Sequence, residues 1–394
     1  MIQKNNLPIL LAMSIIPFTS LRFGLIGIAE ILFLFILAYQ LVSKKIIYSK
    51  YFFVSNFIGT YILIISISFS INVFITGDTN LIFSNWIFDL ASYIFVFMMV
   101  YLLEFRLRNI NRVGDFLWYF YCSWFAIFSI LFFVSLGVDS VFGLPLRTYM
   151  LFTPLVENLH HTAPLFATLP FIGFYFFRER GRLIQKIIAL LSIAMFILMA
   201  FESGSFKAVV GMAFGVIAII FHAIFILTSS LKIRKISFFV SILLFSVVVT
   251  VFYFDEIYGF LLNLFNENDL HGGRAYIYME ALDKIYNSPI LGYGPGAHIY
   301  DSSLDVFRDA HQTVLTVWLQ GGLAALLLLL MFMFFLIKRS MINAYLFGAV
   351  CSLSIYILGG DILRRAPIWI MIITIVWLAD SYRLSLKKVK QYDC

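Results

Sequence analysis

Long apolar runs separated by short clusters of charge dominate this chain. A hydrocarbon layer about 30 Å thick takes about 20 helical residues to cross. Runs of that order lie at 7–21, 24–42, 51–75, 81–103, 116–137, 162–177, 187–202, 208–228, 236–254, 314–337, 341–358 and 366–380. The pattern therefore predicts an all-α polytopic membrane protein with about twelve transmembrane helices. The runs are continuous rather than alternating, which argues against a membrane-spanning barrel. The first, with Pro17 inside it, and the sixth, seventh and twelfth are short enough to be read also as merged, tilted or re-entrant segments. The one sizeable hydrophilic stretch is Asp255 to Ala310, between the ninth and tenth runs.

Composition supports this reading and removes other classes. With 62% apolar residues, 12% charged and a mean hydropathy of +0.96, the chain cannot be a soluble enzyme, a disordered tail or a disulfide scaffold. Cys122, Cys351 and Cys394 form no CxxC and have no histidine at metal-ligand spacing. The net charge of +7 matters less than where the charge sits. Counting alternate loops with the N-terminus inside, 20 of the 28 basic residues fall on one side; only Arg22, Arg147, Lys207, Arg274, Lys284, Arg308, Arg364 and Arg365 fall on the other. The positive-inside bias puts both termini in the cytoplasm and Asp255–Ala310 on the exported face. No cleavable signal peptide is expected, since the first run lacks a small-residue cleavage site. Three parts follow: residues 1–254 with nine spans, 255–312 as an exported loop, and 313–394 with three spans and a basic tail.

The exported loop carries the candidate chemistry. Ile277, Met279, Leu282 and Ile285 recur at near-helical spacing, predicting an amphipathic helix over 274–286 on the membrane surface. Gly272 and Gly273 precede it, and Ser288 with Pro289 ends it. Arg274 falls in the first turn, where a cation opposes the helix dipole and calls for an anionic partner. Gly292, Gly294 and Gly296 follow a helix rather than a strand, so they read as a turn letting backbone pass close to another segment rather than as a dinucleotide fingerprint.

A lone His311 at the membrane entry would by default be an interfacial anchor. Its company changes the weighing: Lys207, Arg274, Arg364 and Arg365 share the face from which charge is otherwise excluded, which suggests an anion pocket. Against this, Arg364 and Arg365 could snorkel to lipid phosphates and Lys207 could pair with Glu202. Asp301, Asp305 and Asp309 recur every four residues as a solvated face, and no metal site is expected. His160 and His161 read as interfacial. Glu30 and Asp89, inside predicted spans, read as helix-binding hydrogen-bond groups with no assigned role.

The stretches GGRAYIYMEALDKIYNSPILGYGPG and AHQTVLTVWLQGG resemble the signature of the O-antigen ligase and polymerase superfamily. There an Arg opens a surface helix, a P-x-x-G-x-G turn follows, and a His-Asn/Ser/Gln pair enters the next span. His311 and Gln312, nine residues ending at Gly321, then Gly322, Leu323, Ala324 and Ala325 match the narrower ligase pattern except at Ala325, where Gly, Thr or Tyr is usual. A second departure is Lys207 in Ser205-Phe206-Lys207-Ala208, where the family usually has an arginine; the charge stays but the bidentate fork is lost.

The resemblance implies a GT-C-like glycosyltransferase in a Gram-negative inner membrane, acting at the periplasmic face without cofactor, metal or nucleic acid. Its donor would be a glycan on undecaprenyl pyrophosphate and its acceptor a lipid A-core sugar hydroxyl, with membrane lipids around it. His311 and Arg274 would be catalytic, Lys207, Arg364 and Arg365 would bind pyrophosphate, and Gly292 with Gly294 would form the loop turn. A ligase is the favoured member, with a polymerase using the same donor as the alternative. A flippase would share the span number, but transporters show two related halves, whereas this chain has one asymmetric loop. A purely structural membrane protein would not need the Arg and His in fixed relation.

Overall fold

The computed structural model describes residues 6–23, 26–42, 52–76, 86–110, 112–156, 162–227, 274–301, 306–308, 310, 312–360 and 362–392. Their helices are α1 (Leu7–Ile15), α2 (Ile28–Val42), α3 (Phe53–Thr76), α4 (Trp86–Arg108), α5 (Val113–Ser135), α6 (Ala163–Glu179), α7 (Leu183–Glu202), α8 (Phe206–Leu227), α9 (Arg274–Asn287), α10 (Thr313–Ser340), α11 (Ala344–Gly359) and α12 (Ala366–Tyr392). Four two-stranded hairpins complete them: β1–β2 (Arg22–Phe23, Ile26–Gly27), β3–β4 (Ser140–Val141, Leu144–Pro145), β5–β6 (Arg147–Thr148, Leu151–Phe152) and β7–β8 (Ile299–Asp301, Val306–Arg308). The chain is thus an all-α polytopic membrane protein, and seven of the described helices are long and apolar enough to cross a bilayer.

Eleven of the twelve predicted runs are helical, while the ninth, 236–254, lies outside the described residues. Two boundaries move. The first run does not continue to residue 21: α1 stops at Ile15, just before Pro17, whose ring cannot continue a helical ladder. Nine residues rise only about 13 Å, too little to cross. The last run does not stop at residue 380 but continues to Tyr392.

Helix α12 is the most buried of the candidate spans, with Ile368, Ile370, Met371, Ile372, Ile373 and Ile375 all closed off from the surface. It packs against α4, α5, α6, α10 and α11. A helix that is apolar all round belongs inside a bundle. Lipid gives apolar helices no hydrophobic reason to associate, so close packing must do so. The tightest crossing joins α8 to α11 through GMAFG (Gly211 to Gly215) and GAVCS (Gly348 to Ser352). A β-carbon on Gly215 would lie 2.9 Å from the Gly348 carbonyl, and one on Gly348 would lie 2.9 Å from the Gly215 carbonyl. At the opposite end of the bundle from the site described below, Glu104 caps α3, accepting from Val54 N–H and Ser55 N–H at 3.0 Å each.

Gly215→Val places a branched side chain against the Gly348 carbonyl and the Phe171 ring and is expected to cost about 1–3 kcal/mol. Gly181→Ala, which meets open space, should cost nothing measurable. Thermal unfolding of the two variants in detergent checks this: a lower midpoint for the first and an unchanged one for the second.

Candidate functional site

The site end of the bundle gathers the C-terminal ends of α1, α3, α5, α7, α9 and α11. Helix α10 opens there at Thr313 but is not continuous: Gly322 has φ 60° and ψ −158°, which breaks the ladder. The turn after α9 fills the break. Tyr293 N–H donates to the Leu319 carbonyl at 2.8 Å and Gly294 N–H to the Gln320 carbonyl at 2.7 Å. In return, Leu323 N–H donates to the carbonyls of Pro289 and Ile290 at 3.0 and 3.2 Å. Helix α3 holds the other side, with Ser68 Oγ donating to the Leu291 carbonyl at 2.6 Å and Asn72 Nδ2 to that of Gly292 at 2.8 Å.

The glycines are what make this approach possible. Gly292 and Gly294 have φ of 69° and 91°, in the region where a side chain is strained. A β-carbon on Gly292 would also sit 2.4 Å from Gly322 N, and one on Gly294 would sit 2.6 Å from Phe69 Cβ. The sequence expectation of a turn passing close to another segment is met, by a turn clamped from two sides.

Beside the turn lies a buried carboxylate to which sequence reasoning gave no role. Asp89, in the first turn of α4, is fully buried and accepts from Gly296 N–H at 3.1 Å. His298 Nε2 lies 3.0 Å from the same oxygen, Oδ2, and Arg364 forms an ion pair with Oδ1. Gln320 Nε2 approaches at 3.4 Å, while its Oε1 accepts from Tyr61 at 2.6 Å and Tyr93 at 2.9 Å. One carboxylate thus joins α4, the glycine turn, the break in α10 and the turn before α12. A negative charge in the first turn is also favoured by the α4 dipole. The cost of an ionisable group inside a span was the only signal in the sequence, because every partner of Asp89 is more than 200 residues away.

Lys207 and the turn that carries Arg365 lie close by, while the side chain of Arg274 lies outside the described residues. Lys207, in the first turn of α8, brings its Nζ within 4.0 Å of where a Gly360 β-carbon would stand. The Gly360 carbonyl accepts from Thr313 N–H at 3.1 Å and Thr313 Oγ1 at 2.5 Å, and Thr313 Oγ1 in turn accepts from Ile362 N–H at 3.2 Å. The α11–α12 turn carrying Arg364 and Arg365 is therefore tied to the start of α10. Glu202, the partner weighed for Lys207, bridges instead to Arg147 at 3.4 Å. Helices α4, α8, α10 and α12 begin at this end, so their first-turn N–H groups are available there to an anion.

Helix α9 runs as expected from Arg274 to Asn287 but presents three faces. Ile277, Ala281 and Ile285 are buried against Leu315 and Leu319 of α10; Met279, Leu282 and Tyr286 are exposed; Glu280, Asp283 and Lys284 occupy the rest of the circumference. Lys284 Nζ donates to the His298 carbonyl at 3.1 Å, and burial lowers its pKa from the usual lysine value against the pull of Glu280. Tyr293 donates its hydroxyl to the Lys284 carbonyl at 3.0 Å, and burial, with Asp283 nearby, raises its pKa. His311, Asp305, Asp309, His160 and His161 lie outside the described residues. Glu30 accepts from Gly27 N–H at 2.9 Å at the start of α2.

Asp89→Ala leaves Gly296, His298 and Arg364 without their shared acceptor. The expected result is a loss of about 2–4 kcal/mol together with faster amide exchange in both 289–298 and 362–365, while α7 keeps its protection. Unchanged exchange in either segment would contradict the role of Asp89 as the common tie.

Residues 187–330 match the family model described as O-antigen ligase. No curated protein matches the chain. The matched stretch runs from α7 through the break in α10 and includes Lys207, Arg274, the glycine turn and the entry to α10. Similarity over that stretch is what points to the O-antigen ligase and polymerase superfamily.

Proposed function

We propose that the chain is an O-antigen ligase, moving a glycan from undecaprenyl pyrophosphate to a sugar hydroxyl of lipid A-core at the periplasmic face of the inner membrane. The observation that carries this is the coincidence of the O-antigen ligase match over 187–330 with an end of the bundle where Lys207, Arg364, Arg365 and four helix N-termini gather. Such an end suits a pyrophosphate, which is dianionic or more and needs charge stabilisation as it leaves.

In the proposed step the acceptor hydroxyl oxygen attacks the anomeric carbon while the bond from that carbon to the pyrophosphate oxygen breaks. Undecaprenyl pyrophosphate departs and the hydroxyl proton passes to neutral His311, so a single displacement inverts the anomeric centre. Arg274 and Lys207 take up charge developing on the leaving group, and Arg365 assists; this stabilisation is worth most where it is stronger in the transition state than in the ground state. Arg364 reaches the site already paired to Asp89, which fixes its direction and offsets part of its charge. No metal is needed for a leaving group neutralised in this way. In this orientation both termini are cytoplasmic, the spans of 1–254 and 313–394 form the scaffold, and 255–312 supplies the catalytic loop.

Purified protein given a defined undecaprenyl pyrophosphate glycan and lipid A-core is expected to move the glycan onto lipid A-core, and His311→Ala to abolish transfer while inserting normally. Longer glycan left on the carrier, with or without lipid A-core, would identify a polymerase; normal product from a well-expressed His311→Ala variant would remove the histidine from the mechanism. For Arg274→Lys the expectation is a drop in kcat of at least tenfold if the fork contacts two phosphate oxygens. Full activity would mean that a point charge suffices.

A further inference from the structure

Between α5 and α6 the chain forms two successive hairpins whose turns contradict the usual turn chemistry. In each, two residues link the strands: Phe142 and Gly143 in β3–β4, Tyr149 and Met150 in β5–β6. All four have positive φ, at 52°, 77°, 52° and 65°, the requirement of a type I′ turn that Asn-Gly normally satisfies. Among the described residues, the non-glycine positions with positive φ are Phe142, Tyr149, Met150 and Leu155, all in this segment. The side chains placed there at the cost of strain are apolar or aromatic, and they are not packed: Phe142 is 100% exposed, Tyr149 94% and Met150 86%.

The bases of the same hairpins are fixed. Leu146 and Phe152 are fully buried, and Phe152 stacks on Phe166 of α6 with ring centroids 5.8 Å apart. Leu146 N–H and Arg147 N–H both donate to the Asp139 carbonyl, at 2.8 and 3.0 Å. Arg147 Nη1 reaches across its own hairpin to the Met150 carbonyl at 3.0 Å, while Nη2 bridges to Glu202. Arg147 is also the one charged residue from Ser140 to Val156. Strained, uncharged, apolar tips on a rigid base are the reverse of what a solvated loop requires.

What covers them is indicated by the surface they continue. Helix α5 is a candidate span, and its outer positions Ile130 and Phe133 are exposed, as are Leu136 and Val138 on the way to the first hairpin. The apolar surface passes without a charged residue, apart from Asp139 at the hairpin base, from a lipid-facing helix to the tips. Aromatic and apolar side chains of this kind are at home at the boundary between headgroups and acyl chains.

We propose that the β3–β4 and β5–β6 tips insert into the bilayer at the site end, with Phe142, Tyr149 and Met150 as the immersed side chains. This contact is with the lipid surface itself and holds whether or not the chain transfers a glycan. Because β5–β6 packs on the α7–α8 turn, where a Gly204 β-carbon would meet Leu151 at 2.5 Å, insertion also fixes the depth of Lys207, two residues into the next helix.

The test uses full-length protein with Cys122, Cys351 and Cys394 replaced by alanine, reconstituted in vesicles of phosphatidylethanolamine and phosphatidylglycerol. Nitroxide labels at Phe142→Cys and Tyr149→Cys are compared with one at Glu280→Cys on the charged face of α9. The expected result is relaxation by oxygen exceeding that by a water-soluble nickel chelate at both tips, by at least threefold relative to position 280. Adding Met150→Gly to the Phe142→Cys protein should move that label toward water without unfolding the hairpin. Tips as accessible to nickel as position 280, or shielded from both reagents as contact with another protein would leave them, would overturn the proposal.

Discussion

Hydrocarbon cannot solvate a peptide group, and each main-chain donor or acceptor left unpaired in a bilayer costs several kcal/mol. That constraint governs the site end. The break at Gly322 frees carbonyls at Leu319 and Gln320 and a donor at Leu323, and the turn 289–294 supplies a partner for each. The turn and the broken helix are therefore one object: neither has satisfied backbone without the other. Their closeness depends on glycine on both sides, since a β-carbon on Gly322 would lie 2.0 Å from the Ile290 carbonyl and one on Gly292 would lie 2.4 Å from Gly322 N.

Charge follows from the same arrangement. Lys207, Arg364 and Arg365 bring formal positive charge to the site end. Such a cluster repels itself in a medium of low dielectric unless some of it is balanced. Asp89 provides that balance internally, with one carboxylate oxygen on Arg364 and the other on Gly296 and His298. A fully buried carboxylate is costly without partners. Here its donors come from three separate segments, so the cost is offset by fixing the position of the whole end.

Much of this was legible in the chain before the structure. Continuous apolar runs give the helices because hydrophobic length is a local property, and eleven runs are helical where expected. Ile277 and Ile285 mark the buried face of α9 for the same reason. The glycines of 292–296 signal a close approach, though not to what. Asp89 was not legible: its chemistry depends on Gly296, His298, Gln320 and Arg364, and no local pattern links residue 89 to them. The Phe142 and Tyr149 turns were missed because neither pair carries the Asn-Gly signature by which a type I′ hairpin is recognised.

The extent of the family match bears on what the site needs. Residues 187–330 include Lys207, Arg274, the glycine turn and the break in α10, yet the groups that hold the turn and the start of α10 in place lie elsewhere. Ser68 and Asn72 clamp the turn from α3, Asp89 anchors it from α4, and Gly360 ties the start of α10 to the turn that carries Arg364. On α8, the Gly211 and Gly215 face closes only against Gly348 and Ser352 of α11. The matched stretch thus contains Lys207, Arg274 and His311, while Arg364 and Arg365 lie beyond it and the turn and the break are held by α3, α4 and the α11–α12 turn. It follows that divergence in α3 and α4 need not be neutral to the site: a change at residue 68, 72 or 89 acts on it through the backbone that these side chains position.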